Sequence, residues 1–402
     1  MKHILFLLPL FLSLYFCSVA LAVSGPASPV GGDSYAAPSP LPHVKVQMHT
    51  AGFWIVRHTS VDDVVMSSKQ IETFNRHIRQ DLKLTKDIFS SKMSPRYGLV
   101  IHNTDQRFMP TYVHKGDADF DELQNSVLEV GAAVGVVRQS LDGKWCYVLS
   151  ALSDGWVQAD HIALGDTNQI RQFVEAKDFI VVTNPQADIF FDEKMKSFDD
   201  DVRMGVKLPL VGQNEYQWIV QVPMKNREGK LRLVQGYIPK PEAHAGYLSY
   251  TARTIYTQAF AMLDKPYGWG DMYGRQDCSR FLQMVYATVG IALPRDSRTQ
   301  AQVGQALASF DERSTDKEKL QALENAPGAL TILPMKGHIM LYLGIIDGVP
   351  YAIHETSGYS QLEDNREVKY VLNRTVVSDL SLGEGSRKGS LLRRLLKIIE
   401  IK

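Results

Sequence analysis

The period of the apolar residues changes twice along the chain, and each change predicts a different kind of structure. In QIETFNRHIRQDLKLTKDIF, residues 70–89, Ile71, Phe74, Ile78, Leu82 and Ile88 recur at helical spacing. That spacing predicts an amphipathic helix, part of a small scaffold over residues 43–104. Over residues 105–165 the helical period is lost. SVLEVGAAVGVVRQSLDGKWCYVLSALSDGWVQADHIAL holds short β-branched runs cut by turn signals at Asp142-Gly143 and Asp154-Gly155. Residues 166–246 repeat the style in FIVVTNPQADIFF, YQWIVQVPM and LVQGYIPKPEA. Each segment has a Trp-led strand (Trp145, Trp218) and then a Gly-aromatic strand (Gly155-Trp156, Gly236-Tyr237). Two small β-barrels in tandem fit this pattern, with the tryptophans as barrel core.

From Tyr247 to the end the pattern becomes α+β. A helix (TARTIYTQAFAML) leads into the Gly-rich loop PYGWGDMYGRQ, and a second helix begins at Cys278. Its buried face is Phe281, Leu282, Val285 and Val289, and Gly290 ends it. The segment GHIMLYLGIIDGVPYAIHETSG then places Asp347-Gly348 between two apolar runs, a hairpin signal. Helices grouped ahead of strands point to α+β rather than a parallel sheet.

The start of the chain adds an address. MKHILFLLPLFLSLYFCSVALA combines Lys2 and His3, an apolar run from Ile4 to Phe16, and a small-x-small site at Ala20-Leu21-Ala22. Residues 1–22 therefore read as an export signal cut after Ala22, because the run is shorter than the roughly 20 residues of a spanning helix. Bulky Phe16 ahead of Cys17 argues against a lipid anchor at that cysteine. Residues 23–42, rich in Pro, Ser, Gly and Ala, read as a flexible linker. The expected location is the periplasm or cell envelope, with no membrane span after the signal is removed.

Composition narrows the function classes. At 402 residues the chain is too long for one core, and 45% hydrophobic with 22% charged residues describes a folded protein. The 44 basic and 44 acidic side chains cancel, and no basic block tracks phosphates, which excludes nucleic acid as a partner. Beyond the signal only Cys146 and Cys278 remain. They either pair with each other or stay as thiols, and a thiol retained in an exported protein is buried or used.

At a helix N-terminus, unpaired N–H groups favour a thiolate at Cys278 and can hold a developing oxyanion. A cysteine nucleophile needs a histidine base and a group to orient it. Of 11 histidines, His338 at the mouth of HIMLYLGII and His354 in YAIHE stand apart, both on the hairpin. A two-residue turn at Asp347-Gly348 would put them on opposite faces, so a β-bulge is expected there. A rival use of Cys278, His338 and His354 is zinc, although HExxH, paired CxxC and an acidic fourth ligand are all missing. No cofactor is otherwise called for.

These pieces resemble a known family. P-Y-G-W-G (266–270), D-C-S (277–279), L-P-R-D-S (293–297), G-H (337–338) and I-H (353–354) look like the NlpC/P60 family of papain-like cysteine peptidases. With the preceding barrels and the tail VVSDLSLGEGSRKGSLLRRL, the chain is similar to members built from a stabilising segment, two bacterial SH3-like domains and a catalytic domain. The resemblance implies hydrolysis of the γ-D-glutamyl–diamino acid (diaminopimelate) bond of murein peptides. Cys278 would attack, His338 would carry the proton, and His354 would hold the His338 ring. It further implies that Asp277 recognises a free N-terminal L-Ala amine and that Tyr267, Ser279 and Ser297 contact substrate. Ser297 has a second reading, a capping box with Gln300. Glu129 or Tyr147 of the first barrel would reach the cleft. Arg280 departs from the family pattern of a small residue two after the cysteine, and would either line the cleft or face solvent. Two readings from other classes remain: a cell-wall-binding protein without catalysis, and a papain-like amidase or acyltransferase on another substrate.

Overall fold

The computed structural model describes residues 41–82 and 96–402, with the backbone of residues 35–36. The expected export signal, nearly all of the expected linker and the end of the first predicted helix, Ile88 included, lie outside the described residues. Helix α1, Ser68–Asp81, is started by a capping box in which the Gln70 side chain accepts from Ser67 N–H at 2.9 Å. It buries Ile71 and Ile78.

The first barrel is a seven-stranded antiparallel sheet. Its core is Val100, Leu128, Val134, Val136, Cys146, Val148, Val157 and Ile162. Asp142-Gly143 makes the predicted turn, with Gly143 at φ 74° and Lys144 N–H donating to Asp142 Oδ1 at 3.1 Å. Asp154-Gly155 does not. Both belong to the strand Asp154–Gln158. A Cβ at Gly155 would lie 2.8 Å from Gln106 Cγ and 2.9 Å from the Arg107 carbonyl, so this glycine admits a crossing strand. Trp145 is barrel core, whereas Trp156 and Trp218 are only half-buried.

Helix α2, Thr167–Val174, starts at Asp166, whose carboxylate accepts from Asn168 N–H at 2.8 Å. Its Ile170 and Phe173 pack with Leu99 and Ala163 of the first barrel and with Ile180, Leu208 and Val220 of the second. The second barrel, also seven-stranded, therefore shares one apolar cluster with the first.

The C-terminal region is an antiparallel sheet under two helices. Its strands are β1 (Gln305–Ser309), β2 (Thr331–Met335), β3 (His338–Ile346), β4 (Val349–Glu363), β5 (Arg366–Asp379) and β6 (Lys397–Glu400), in the order β5-β4-β3-β2-β6-β1. Helices α3 (Ala252–Ala261) and α4 (Cys278–Ala287) pack on Ile339, Leu341, Ile353 and Val377. The N-terminal scaffold completes that core with Met48, Trp54, Met66 and Ile71. Trp54 donates its indole N–H to the Met48 carbonyl at 2.9 Å and packs on Tyr351. Asn75 of α1 bonds both Gly290 O (2.8 Å) and Ala292 N–H (2.9 Å), tying α1 to the end of α4. On the opposite face lie Leu333, Met340, Tyr342 and Ala352, covered by Leu382, Leu391 and Leu395 of the tail.

The β3–β4 hairpin turns at Asp347 (φ 52°) and Gly348 (φ 77°), the two left-handed residues of a type I′ turn. The register then shifts: Ile346 pairs with Val349, but Gly344 pairs with Tyr351 and Tyr342 with Ala352. Leu343 is the extra residue of a bulge. Leu341 consequently faces Ile353, which puts His354 on the same face of the sheet as Met340 and His338. The bulge expected from the histidine spacing is present.

Candidate active site

Three chain segments converge on the start of α4. The loop before it folds back through left-handed residues Gly270 (φ 56°), Asp271 (φ 69°) and Tyr273 (φ 60°). Tyr267 N–H donates to the Asn373 carbonyl at 2.9 Å and Gly268 N–H to the Gln276 carbonyl at 3.0 Å, which fixes the Tyr267 backbone alongside Gln276. Asp277 is the N-cap: its Oδ1 accepts from Arg280 N–H at 2.8 Å.

Cys278 is the first residue of α4 and half-buried. Neither it nor Cys146 is in a disulfide, which removes the pairing left open by the sequence. Its thiol meets the N–H groups of Ile339 and Ser279. A helix N-terminus favours a thiolate, yet the thiol is pushed up to about 12, by burial first and the adjacent Asp277 carboxylate second. Those two effects exceed the help from the N–H groups and Arg295. Burial thus works against the thiolate that the helix N-terminus favours.

The histidines follow the same logic. His338 Nε2 and His354 Nδ1 share a hydrogen bond at 2.8 Å, and His354 Nε2 meets Ser378 Oγ at 3.0 Å. Burial drives both imidazoles towards the neutral form, His338 well below its ordinary range and His354 to about 3, with Arg394 adding to each. Burial thus favours the neutral form of the thiol and of both imidazoles, and the thiol meets the N–H of Ile339, the residue after His338 on β3. Alkylation of Cys278 by iodoacetamide should therefore climb about tenfold per pH unit from pH 7 to 9, with no plateau below pH 7. A pH-independent rate from pH 5 to 7 would instead show a standing thiolate–imidazolium pair. His338 Nε2 and His354 Nδ1 are engaged with each other in that 2.8 Å hydrogen bond. Among the described residues no group of three or more His, Cys, Asp or Glu is arranged to hold a metal.

The other expected residues divide. Asp277 forms a two-point ion pair with Arg295, Nη1 to Oδ1 at 3.1 Å and Nη2 to Oδ2 at 2.9 Å. Ser279 Oγ donates to Asp277 Oδ1 at 2.8 Å and accepts from Arg295 Nη1 at 3.1 Å. The Tyr267 hydroxyl is pushed upward by burial first, then by Cys278, Asp277 and Glu355, which places it at the same spot. Ser297 opens the short helical turn Ser297–Gln300, but the cap is Asp296, which accepts from Thr299 N–H at 2.9 Å. Gln300 spends its amide on the carbonyls of Ser279 (2.9 Å) and Pro294 (2.8 Å), so the Ser297–Gln300 capping box does not form.

Glu129 is buried and bonds Arg203 Nε at 2.6 Å and Arg280 Nη2 at 2.9 Å. Arg280 neither lines an open cleft nor faces solvent; it lies under α4, paired with Glu129 and Gln283. Tyr147 donates to the Asp154 carboxylate and sits edge-on to Trp156, both within the first barrel. The structure thus gathers Cys278, Asp277, Ser279 and Tyr267, joins His338 to His354 beside the strand residue whose N–H meets the Cys278 thiol, links Glu129 through Arg280, and leaves Tyr147 apart.

Sequence reasoning passes over Arg295, Asp271, Arg203, Ser378 and Glu355. Asp271 has one signal, a charge inside an aromatic, Gly-rich loop. Ser378 has none, because β5 brings it beside His354 only through sheet register. Glu355 is buried, bonded by Gln276 Nε2 at 3.3 Å and by Thr375, and pushed up to about 8 by burial, hence neutral at pH 7.

Comparison with known proteins identifies two domains in the chain. Residues 264–377 match the NlpC/P60 family and residues 107–158 match the SH3 domain of SH3b1 type. Over 150 residues the chain is 28% identical to a gamma-D-glutamyl-L-lysine dipeptidyl-peptidase of Bacillus cereus (strain ATCC 10987), covering 36% of this chain and 40% of that protein. Over 101 residues it is 31% identical to a probable endopeptidase of Corynebacterium glutamicum, covering 25% of this chain and 47% of the relative. The chain spans less than half the length of these curated relatives. An NlpC/P60 endopeptidase structure from Photobacterium damselae subsp. piscicida superposes with a TM-score of 0.64 at 18% identity, over 84% of this chain and 79% of that one. An NlpC/P60 family protein from Bacillus cereus ATCC 10987 gives 0.53 at 16% identity, over 76% and 99%. At such identities these two speak for the fold alone. The chain therefore carries an NlpC/P60 domain over residues 264–377, which holds Cys278, His338 and His354, behind an SH3 domain of SH3b1 type over residues 107–158.

Proposed function

We propose that this protein is an exported cysteine endopeptidase that hydrolyses the γ-D-glutamyl–diamino acid bond of cell-wall peptides. The observation that carries the reading is the thiol of Cys278, at a helix N-terminus and against the N–H of Ile339, the residue that follows a histidine oriented by a second histidine. His338 Nε2 is occupied by His354, so Nδ1 is the atom left to serve the thiol. Because both groups rest neutral, His338 takes the thiol proton as sulfur attacks the γ-carbonyl, rather than beforehand. The N–H groups at the start of α4 receive the oxyanion, and His338 returns the proton to the departing amine. Water then releases the acyl group by the same steps in reverse.

The substrate end of the reading is a free N-terminal L-Ala. Asp277 Oδ1 already accepts from Arg280 N–H, Ser279 and Arg295, but Oδ2 accepts from Arg295 alone and keeps a position for an ammonium. Tyr267 and Ser297 would flank the peptide. Export to the periplasm or envelope rests on the character of residues 1–22.

The test uses protein lacking residues 1–22, incubated with L-Ala-γ-D-Glu-diaminopimelate, its lysine counterpart and their N-acetylated forms, with products read by mass. Cleavage after D-Glu only in the free-amine peptides, abolished by a thiol alkylating agent, is the expected result. Cleavage of free and acetylated peptides alike would remove the amine preference. Intact peptides throughout would sink the peptidase reading in favour of a binding protein.

A further inference from the structure

Charge concentrates where the two barrels meet the catalytic region. Glu129, Asp271 and Asp277 face Arg203, Arg280 and Arg295, all at most 9% exposed. Asp271 lies at the centre. It is fully buried, and its φ of 69° is a left-handed conformation that suits glycine far better than aspartate. The carboxylate explains why a charged residue sits there, because donors reach it from three modules. Ser126 Oγ at 2.9 Å and Val127 N–H at 3.2 Å come from the first barrel. Arg203 Nη2 of the second barrel is 3.8 Å away, and Arg280 Nε of α4 is 3.7 Å away. Arg295 Nη2 lies 3.2 Å from Asp271 Oδ1 and 2.9 Å from Asp277 Oδ2, while its Nε donates to Ser126 Oγ at 2.8 Å. Burial alone would raise the Asp271 carboxyl, but Arg295, Arg203 and Arg280 hold it ionised, below the usual carboxylate range.

These contacts form an unbroken line: first barrel, Asp271, Arg295, Asp277, and then the N–H groups at the start of α4. We propose that Asp271 is a positioning residue, which through Arg295 and Asp277 holds the Cys278 end of α4 in fixed register with the first barrel. The proposal rests on Cys278 being the nucleophile of the function proposed above. Asp271 touches no reacting atom. Its effect is that the nucleophile and the barrel beside it move as one body, so a substrate gripped by one is presented correctly to the other.

Asp271→Gly removes the carboxylate and relaxes the backbone, but leaves three arginines facing two carboxylates. Asp271→Gly/Arg280→Gln restores the balance, and is the variant that decides the matter if the single one is unstable. We expect the double variant to keep a cooperative thermal transition and to lose about 100-fold in kcat/KM, mainly in kcat. Amide hydrogen exchange over residues 276–281 should quicken at least about tenfold in the same protein. Unchanged exchange over 276–281 overturns the proposal whatever the activity. Unchanged kcat/KM in a folded double variant of an active enzyme also overturns it, leaving Asp271 a structural residue. Should the parent protein cleave none of the peptides, the function reading fails separately, and exchange alone still judges the positioning role.

Discussion

Cys278→Ala is expected to abolish turnover, with kcat reduced by at least about 10⁴-fold, while the protein stays folded. His338→Ala should do the same. The reason begins with what each side chain holds in place. Cys278 is half-buried at the edge of the apolar cluster under α4, and the core of that helix is carried by Phe281, Leu282 and Val285. Losing one sulfur at such an edge costs little, on the order of 1 kcal/mol. His338 opens β3 after the turn at Lys336-Gly337, and its ring bond is to His354 rather than to the backbone of the sheet. Catalysis has no such reserve. Without the thiol there is no nucleophile, and without His338 a thiol pushed up to about 12 has no base to take its proton. Mass-resolved peptide assays beside thermal melts check both halves. A Cys278→Ala protein with full activity ends the cysteine mechanism, and one that fails to melt cooperatively ends the claim that the thiol is dispensable for folding.

The largest effect on stability is expected at Arg203, at the join between the barrels. It is 4% exposed, and it donates from Nε to Glu129 at 2.6 Å and from Nη1 to the Arg275 carbonyl at 2.5 Å. Arg203→Met keeps much of the volume but leaves Glu129 and Asp271 short of a cation in a dry site. Breaking one member of a buried ion cluster costs roughly 3–5 kcal/mol, because the remaining charges cannot return to water. Arg203→Met/Glu129→Met removes one charge of each sign and should recover more than half of that loss. Urea unfolding measures both, provided the m-value is unchanged. A single variant within about 1 kcal/mol of the parent would show that water or rearrangement already screens the cluster.

Some of this architecture is legible in the residues alone. The β-branched runs from 105 to 246 read as small barrels, since period-two patterning with short turns cannot bury its apolar face as helix. The α4 face is equally plain, with Phe281, Leu282 and Val285 all fully buried, although the helix ends at Ala287 and Val289 is buried just beyond it. The bulge in β3 follows because two histidines of one function must share a face. Other features mislead for local reasons. Asp154-Gly155 has the composition of a turn, but Gly155 serves a close strand crossing. Ser297 and Gln300 have capping-box spacing, but Asp296 is the better-placed acceptor and Gln300 has carbonyls to satisfy. The helix dipole alone points to a thiolate. Burial and the neighbouring Asp277 push the thiol the other way.

What the sequence determined by itself is therefore the inventory and the order: barrel strands, a helix that starts at Cys278, and a histidine hairpin after it. Each of these is a matter of short-range spacing, legible within about ten residues. What only the tertiary structure decided is which charges meet. Glu129, Arg203, Asp271, Arg280 and Arg295 are separated by up to 166 positions, from Glu129 to Arg295, and nothing in their local context announces a partner. Arg280 has the look of a surface or cleft residue because a cation next to a helix start ordinarily finds water. It is buried because Glu129 and Asp271 arrive from elsewhere to neutralise it. Local pattern sets where a side chain points along its own element, whereas the energy of a buried charge depends on what the fold brings against it.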